Sequence, residues 1–323
     1  MENVTKLLIE RGKDALEISR RSVLEEKVDD PLQEPLRYFM EEVWCNFAHP
    51  ALLSLTCEAV GGNPNATTHV GAAFVVLSGA ADVHDDIIEQ SMIKDSKPTI
   101  FGKYGKDVAI VIGDILFYKG VYMLHDACEN FSKKQRVTIL RLAKLAFFKI
   151  GSVEAEEARF RGRIDLRAEE YVSLIEKKVA IAEVAASIGA IIGDGTPQDV
   201  ERMGHYGKTL GFLMTVRDEF IDLFELDELK NRLKNECLPL PLLYAIQDST
   251  VKSKVLRILQ SEEITQSKLD ELLEIVANAG ANRKLVVKMK LLIEDETRHL
   301  QQVRKNAEIL KMLLNATLED LPH

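Results

Sequence analysis

Positive charge is scarce in this chain. Its 42 Lys and Arg face 51 Asp and Glu, a net charge of −9. Such a surface repels a phosphate backbone, so a nucleic-acid binder is excluded. Aromatic residues are only 6% of the chain, and the 46% apolar content rests on Leu, Ile, Val and Ala, enough for a sizeable core and too much for disorder. The four cysteines, Cys45, Cys57, Cys128 and Cys237, are widely spaced, with no CxxC and no His at ligand spacing. They read as reduced thiols of a cytoplasmic protein, which excludes a disulfide frame or a zinc site. Long apolar runs are also missing. Val70–Ala81 is short, and Glu183 interrupts Val179–Gly193, so no transmembrane segment is expected. The opening residues lack the apolar stretch of a signal peptide.

What the chain has in abundance is helical periodicity. Helices are expected over Leu36–Cys45, Pro50–Val60, Thr67–Glu89, Asp107–Leu124, Gln135–Phe160, Ala168–Ile192, Thr196–Leu226 and Leu240–Gln247, and from Val251 onward. Gly61-Gly62-Asn63-Pro64 and Gly193-Asp194-Gly195 are breaks, and Ser91–Gly105 reads as a loop. The 67–89 segment is apolar on nearly every side and carries small residues (Gly71, Ala72, Ala73, Gly79, Ala80, Ala81), the pattern of a buried central helix. With no linker or composition break, residues 1–323 read as one all-α domain.

Two acidic clusters stand out. Asp85, Asp86 and Glu89 share one helix face, with Asp82 a turn earlier, and Asp218, Glu219 and Asp222 repeat the spacing, with Glu225 beyond. A lone cluster of this type is commonly a solvated helix end. Two that each follow an apolar helical run point elsewhere, because crowded carboxylates on a buried helix need neutralising cations. Oxygen-only donors select hard cations, Mg²⁺ above all, and Mg²⁺ keeps open positions for water and substrate phosphates. Lys94, Lys97, Lys177, Lys178, Arg217 and Arg232 flank the clusters and suggest a diphosphate clamp.

The segment from His84-Asp85-Asp86 to Glu89, then Lys97-Pro98-Thr99, Lys103 to Ile110, and Gly113-Asp114, resembles the first aspartate-rich region of the trans-isoprenyl diphosphate synthases, the polyprenyl synthetase family. Glu176-Lys177-Lys178, the run Tyr206–Gly211 with Asp218–Asp222, and Leu240–Ala245 resemble later motifs of that family in the same order. The resemblance implies the isoprenoid-synthase helical fold around a central cavity, with the two acid motifs facing each other across it. It further implies three Mg²⁺ ions, an allylic prenyl diphosphate substrate and a homodimer. Asp85, Glu89, Asp218 and Asp222 are the implied metal ligands, with Asp86 and Lys178 also catalytic. Lys94, Lys178, Arg217 and Arg232 are the cations expected on the diphosphate. Ala80, Ala81 and Phe74, just before the first cluster, are expected to set the depth of the hydrocarbon pocket, and the small alanines predict substrates of C15 to C20 or longer.

The departures fall on the second substrate. Where relatives hold isopentenyl diphosphate with cations, this chain has Asn46, His49, Ser78 and Asp95. Charge-assisted hydrogen bonds contribute about 1.5–3 kcal/mol each, so their loss weakens that site severely. The expectation is therefore an enzyme that ionises one allylic diphosphate without isopentenyl diphosphate, as a terpene synthase-like cyclase or by transfer to another acceptor. The alternatives are a chain-elongating prenyltransferase with a rebuilt acceptor site, and a non-catalytic subunit of a heteromeric synthase.

Overall fold

The computed structural model describes residues 2–261, 263–319 and 321. Sixteen α-helices and one two-stranded hairpin occur among them. In chain order the helices are α1 (Glu2–Leu24), α2 (Asp30–Tyr38), α3 (Ala48–Ala59), α4 (Thr68–Ile88), α5 (Ile100–Tyr104), α6 (Lys106–Ala127), α7 (Lys133–Glu157) and α8 (Ala168–Lys178). They continue as α9 (Ala180–Ile192), α10 (Pro197–Phe224), α11 (Leu226–Asn235), α12 (Leu240–Ala245), α13 (Ser249–Leu259), α14 (Gln266–Asn278), α15 (Ala281–Leu300) and α16 (Ala307–Ala316). The chain divides into two compact units. One holds residues 1–146, 182–207 and 302–307, and the other the remaining three segments.

In the first unit α4 is central, packing on α6, α1 and α3. A one-sided helix buries only a stripe of its residues; here the run from Val70 to Ala80 is buried without interruption, as the all-round apolar pattern requires. Each fully buried Val, Leu or Phe contributes about 1.5–3 kcal/mol. Glycines let the neighbours approach. A Cβ on Gly113 of α6 would lie 2.4 Å from the His84 ring of α4, and one on Gly79 would meet Trp44 and Phe39 at 2.9 and 3.0 Å. Either substitution would force those side chains to shift.

The segment expected to be a loop contains a hairpin, β1 (Ile93–Lys94) with β2 (Lys97–Pro98), and then α5. Asp95 and Ser96 turn it with φ of 49° and 62°, left-handed values that Asp tolerates. Thr99 caps α5 by accepting from the Gly102 N–H at 2.9 Å.

In the second unit α12 packs on α8, α14 and α15, and α13 on α14. The helix expected over 168–192 is interrupted at Val179, and the helical stretch expected from Val251 onward comprises α13 to α16. Gly280, at φ 67°, begins α15. The segment after Asp222 folds as α11, with Asp227 and Glu228 in its first turn and Arg232 and Lys234 in its last, matching the helix dipole.

All four cysteines are free thiols. Two helices, Pro64–Ile88 and Lys106–Asn130, are long and apolar enough to cross a membrane by length and composition alone. The uninterrupted apolar runs within them are shorter, and polar residues such as Asp82, Asp85 and Asp86 interrupt the pattern near the end of the first. In the first, 72% of the apolar window is buried inside the protein, against 39% in the second.

Candidate functional site: two acidic clusters

In the first unit the last turns of α4 bring Asp82, Asp85 and Asp86 together, and Glu89 closes the helix, its N–H donating to Asp85 O at 2.8 Å. Asp86 is 3% exposed, and its Oδ1 has no hydrogen-bond partner. Burial, then the Asp82 carboxylate, pushes its pKa up to about 7. Lys94, on β1, hydrogen-bonds Asp82 and stands 3.9 Å from Asp86 Oδ1. Burial works against the charge on Lys94, but Asp82 and then Asp86 and Glu89 outweigh it and raise its pKa. Lys97, in contrast, donates to the Glu42 carbonyl. The cluster offers oxygen donors alone, one of them a buried carboxylate oxygen without a hydrogen bond, the donor chemistry that hard divalent cations favour.

The stretch before α3 is neutral where cations were missing from the sequence. Asn46 Nδ2 lies 2.9 Å from His49 Nδ1 and donates to Ser78 Oγ at 3.1 Å, and Ser78 donates on to Phe74 O at 2.7 Å. Burial lowers the His49 pKa to about 4, so the ring is uncharged at neutral pH. Trp44 stacks on Phe39 at 5.7 Å and donates to Val75 O at 2.9 Å. The neighbouring Arg20 donates to the backbone carbonyls of Met40 (2.7 Å) and Trp44 (3.4 Å).

Ala80 and Ala81 take different directions. Phe74, Ser78, Ala81 and Asp85 recur at the i, i+4, i+7, i+11 spacing of one helix stripe. Ala80 belongs instead to the core cluster of Phe39, Met40, Ile112 and Leu116, fully buried, while Ala81 is partly exposed. Phe74 is fully buried as well.

In the second unit α10 carries Asp218, Glu219 and Asp222. The Asp218 side chain is 59% exposed and lies 3.7 Å from Arg217, whose buried Nε has no hydrogen-bond partner. Desolvation, then repulsion from Asp222, pushes the Asp218 pKa up to about 6, and desolvation raises that of Asp222. Glu219 is buried and saturated, accepting from the Tyr171 hydroxyl, Arg232 Nη2 and the Leu240 N–H, each at 2.8 Å. Arg232, expected as a diphosphate cation, is 4% exposed, and its Nη1 lies 2.5 Å from Asp222 Oδ2. Lys178 at the end of α8 pairs with Glu157 and stands 3.9 Å from Glu154, while Lys177 pairs with Glu156 at 2.7 Å.

The matching family model is that of the polyprenyl synthetases, over residues 31–276. The chain belongs to the polyprenyl synthetase family. It is 31% identical over 180 residues to a short chain isoprenyl diphosphate synthase of Methanothermobacter thermautotrophicus, a match covering 55% of this chain and 54% of the relative. A geranylgeranyl diphosphate synthase of Sulfolobus acidocaldarius is 30% identical over 175 residues, 54% of this chain and 53% of the relative. The chain thus spans about half the length of the curated relatives it matches. Among solved structures, the geranylgeranyl pyrophosphate synthetase of Pyrococcus horikoshii Ot3 superposes with a TM-score of 0.85 at 22% identity, covering 98% of each chain. The all-α isoprenoid-synthase fold expected from the sequence is therefore the fold of this family member.

Sequence reasoning missed Tyr171 and Glu157, the partners of Glu219 and Lys178. Tyr171 sits in no acidic cluster, and Glu157 ends the run Glu154-Ala155-Glu156-Glu157, whose pairing with α8 only the tertiary structure reveals.

Proposed function

We propose that this polyprenyl synthetase is a divalent-metal-dependent prenyltransferase that ionises an allylic prenyl diphosphate and extends its chain, with a rebuilt acceptor site. The observation that carries this reading is the first acidic cluster, where the buried Asp86 Oδ1 accepts no hydrogen bond and lies near the carboxylates of Asp82 and Glu89. Bound Mg²⁺, expected as three ions, would offset the charge of the departing diphosphate. Lys94 would contribute a further positive charge, its 49% exposed side chain being able to turn from Asp82 to a phosphate. The names of the relatives, all prenyl diphosphate synthases, favour chain extension over cyclisation.

One observation favours the second reading, an enzyme that uses no isopentenyl diphosphate. Asn46, His49 and Ser78 satisfy one another as neutral partners and offer no charge to a second diphosphate. Incubating the purified chain and Mg²⁺ with C10, C15 and C20 allylic diphosphates, with and without isopentenyl diphosphate, separates the readings. Longer prenyl diphosphates formed only with isopentenyl diphosphate support chain extension. Turnover without it supports cyclisation or another acceptor, and no turnover under any condition leaves a non-catalytic subunit.

A second copy of the chain is proposed as a partner. The face of α6 with Val111, Phe117, Tyr118, Val121 and Tyr122 is 42–76% exposed, the kind of apolar surface that a homodimer covers.

A further inference from the structure

The two acidic clusters differ in what already neutralises them. At the first, the cation is Lys94, a half-exposed side chain on a flexible stem, and a buried carboxylate oxygen still lacks a hydrogen bond. At the second, the cation is Arg232, 4% exposed and tied down at every nitrogen. Its Nη1 reaches Asp222 at 2.5 Å, its Nη2 reaches Glu219 and the Tyr171 oxygen at 2.8 and 2.9 Å, and its Nε reaches the Cys237 carbonyl at 3.2 Å. Glu236 adds a carboxylate at 3.8 Å.

We propose that Arg232 is the built-in cation of the second acidic cluster, holding Asp222 and Glu219 in place of a divalent ion and leaving Asp218 as the carboxylate open to metal. This rests on the proposed function only for the metal's purpose, because the occupancy of the cluster can be measured without turnover. The chemistry favours the arginine. A guanidinium stays charged at any accessible pH, and its planar fork matches two carboxylates at once. Carried on α11 of the same chain, it reaches the cluster at a high effective concentration that free Mg²⁺ must overcome. A metal ion arriving at Asp222 must either displace Arg232 from that carboxylate, leaving its buried Nη1 without that acceptor, or lie beside it, cation against cation. Asp218 escapes both constraints, because its carboxylate is exposed and its contact to Arg217 is a loose 3.7 Å. The second cluster thus takes fewer divalent ions than its three carboxylates suggest.

The test is a Mn²⁺ titration of the full chain, reading unbound Mn²⁺ by electron paramagnetic resonance. Asp222→Asn is expected to match the wild type in number of ions and affinity, whereas Asp218→Asn weakens binding. Arg232→Met is expected to gain an ion or bind Mn²⁺ about tenfold more tightly, the size of an ordinary coupling between competing ligands. Arg232→Lys, which keeps the charge but not the fork, is expected to fall between the wild type and Arg232→Met. Loss of an ion in Asp222→Asn overturns the proposal, as does wild-type Mn²⁺ binding by an Arg232→Met protein whose circular dichroism shows it folded. Where Arg232→Met does not fold, Asp222→Asn decides alone. A protein without prenyltransferase activity still reports its Mn²⁺ count, so failure of the functional reading and failure of this one are told apart.

Discussion

Lys94 Nζ stands 3.9 Å from the Oδ1 of Asp86, close enough to feel its charge and too far to hydrogen-bond it. Asp86 is thereby left buried with half of its carboxylate unsatisfied, and burial pushes its pKa up to about 7 from the ordinary 3.8.

That shift has a definite sign. A carboxyl whose folded pKa is raised binds more protons in the folded chain than in the unfolded one between those two values. Stability from Asp86 is therefore full below pH ~4 and is lost as pH rises through about 7. Metal-free protein should show a gap in melting temperature between wild type and Asp86→Asn that favours the wild type at pH 5 and reverses by pH 8. The swing is on the order of 1–3 kcal/mol. Binding of Mn²⁺ should strengthen over the same rise, since the metal needs the ionised carboxylate. A flat profile for both quantities would refute the assignment.

Asp85→Ala removes an expected metal ligand from a group of repelling carboxylates. Turnover should fall by about 10²–10³-fold, the loss seen when a charge-stabilising group is removed from an active site. The melting temperature should hold or rise. Near-normal turnover would count against the first cluster as the reaction centre.

Asn46→Lys places a cation where Asn46 now bonds His49 and Ser78. A charge-assisted bond contributes about 1.5–3 kcal/mol, so the KM for isopentenyl diphosphate should fall by roughly tenfold or more. The KM for the allylic substrate should change little. An equal effect on both KM values would show that this network does not belong to an acceptor site.

The two alanines before the first cluster make opposite predictions. Ala81 shares a helix stripe with Asp85, so Ala81→Phe should shift the specificity constants toward shorter allylic substrates. Ala80 lies in the core against Phe39 and Ile112, so Ala80→Phe should destabilise by about 1–3 kcal/mol through overpacking. A substrate-length shift from Ala80→Phe in a protein of wild-type stability would reverse this account.

The exposed face of α6 predicts a dimer that charge disrupts. Tyr118 and Tyr122 are 76% and 56% exposed, and changing both to Asp should yield a monomer in sedimentation velocity if a second copy covers them. Identical sedimentation of the variant and the wild type would place the partner elsewhere.

The sequence by itself determined the helical class, the buried character of α4 and both acidic clusters. Each is written in local spacing, since the period of apolar residues and the i, i+1, i+4 carboxylates follow from helix geometry alone. Family membership followed from the order of short motifs, which is also a one-dimensional property. The partners of the charges were decided only in three dimensions. Nothing near Arg232 in the chain says that it closes on Glu219 and Tyr171, residues brought to it from α10 and α8. Likewise the adjacent Ala80 and Ala81 are chemically identical, and only the packing of α4 on α6 sends one into the core and leaves the other on the stripe of Asp85. A buried charge must take whichever opposite charge the fold delivers, because unpaired burial costs several kcal/mol, and that choice depends on tertiary packing that no local pattern encodes.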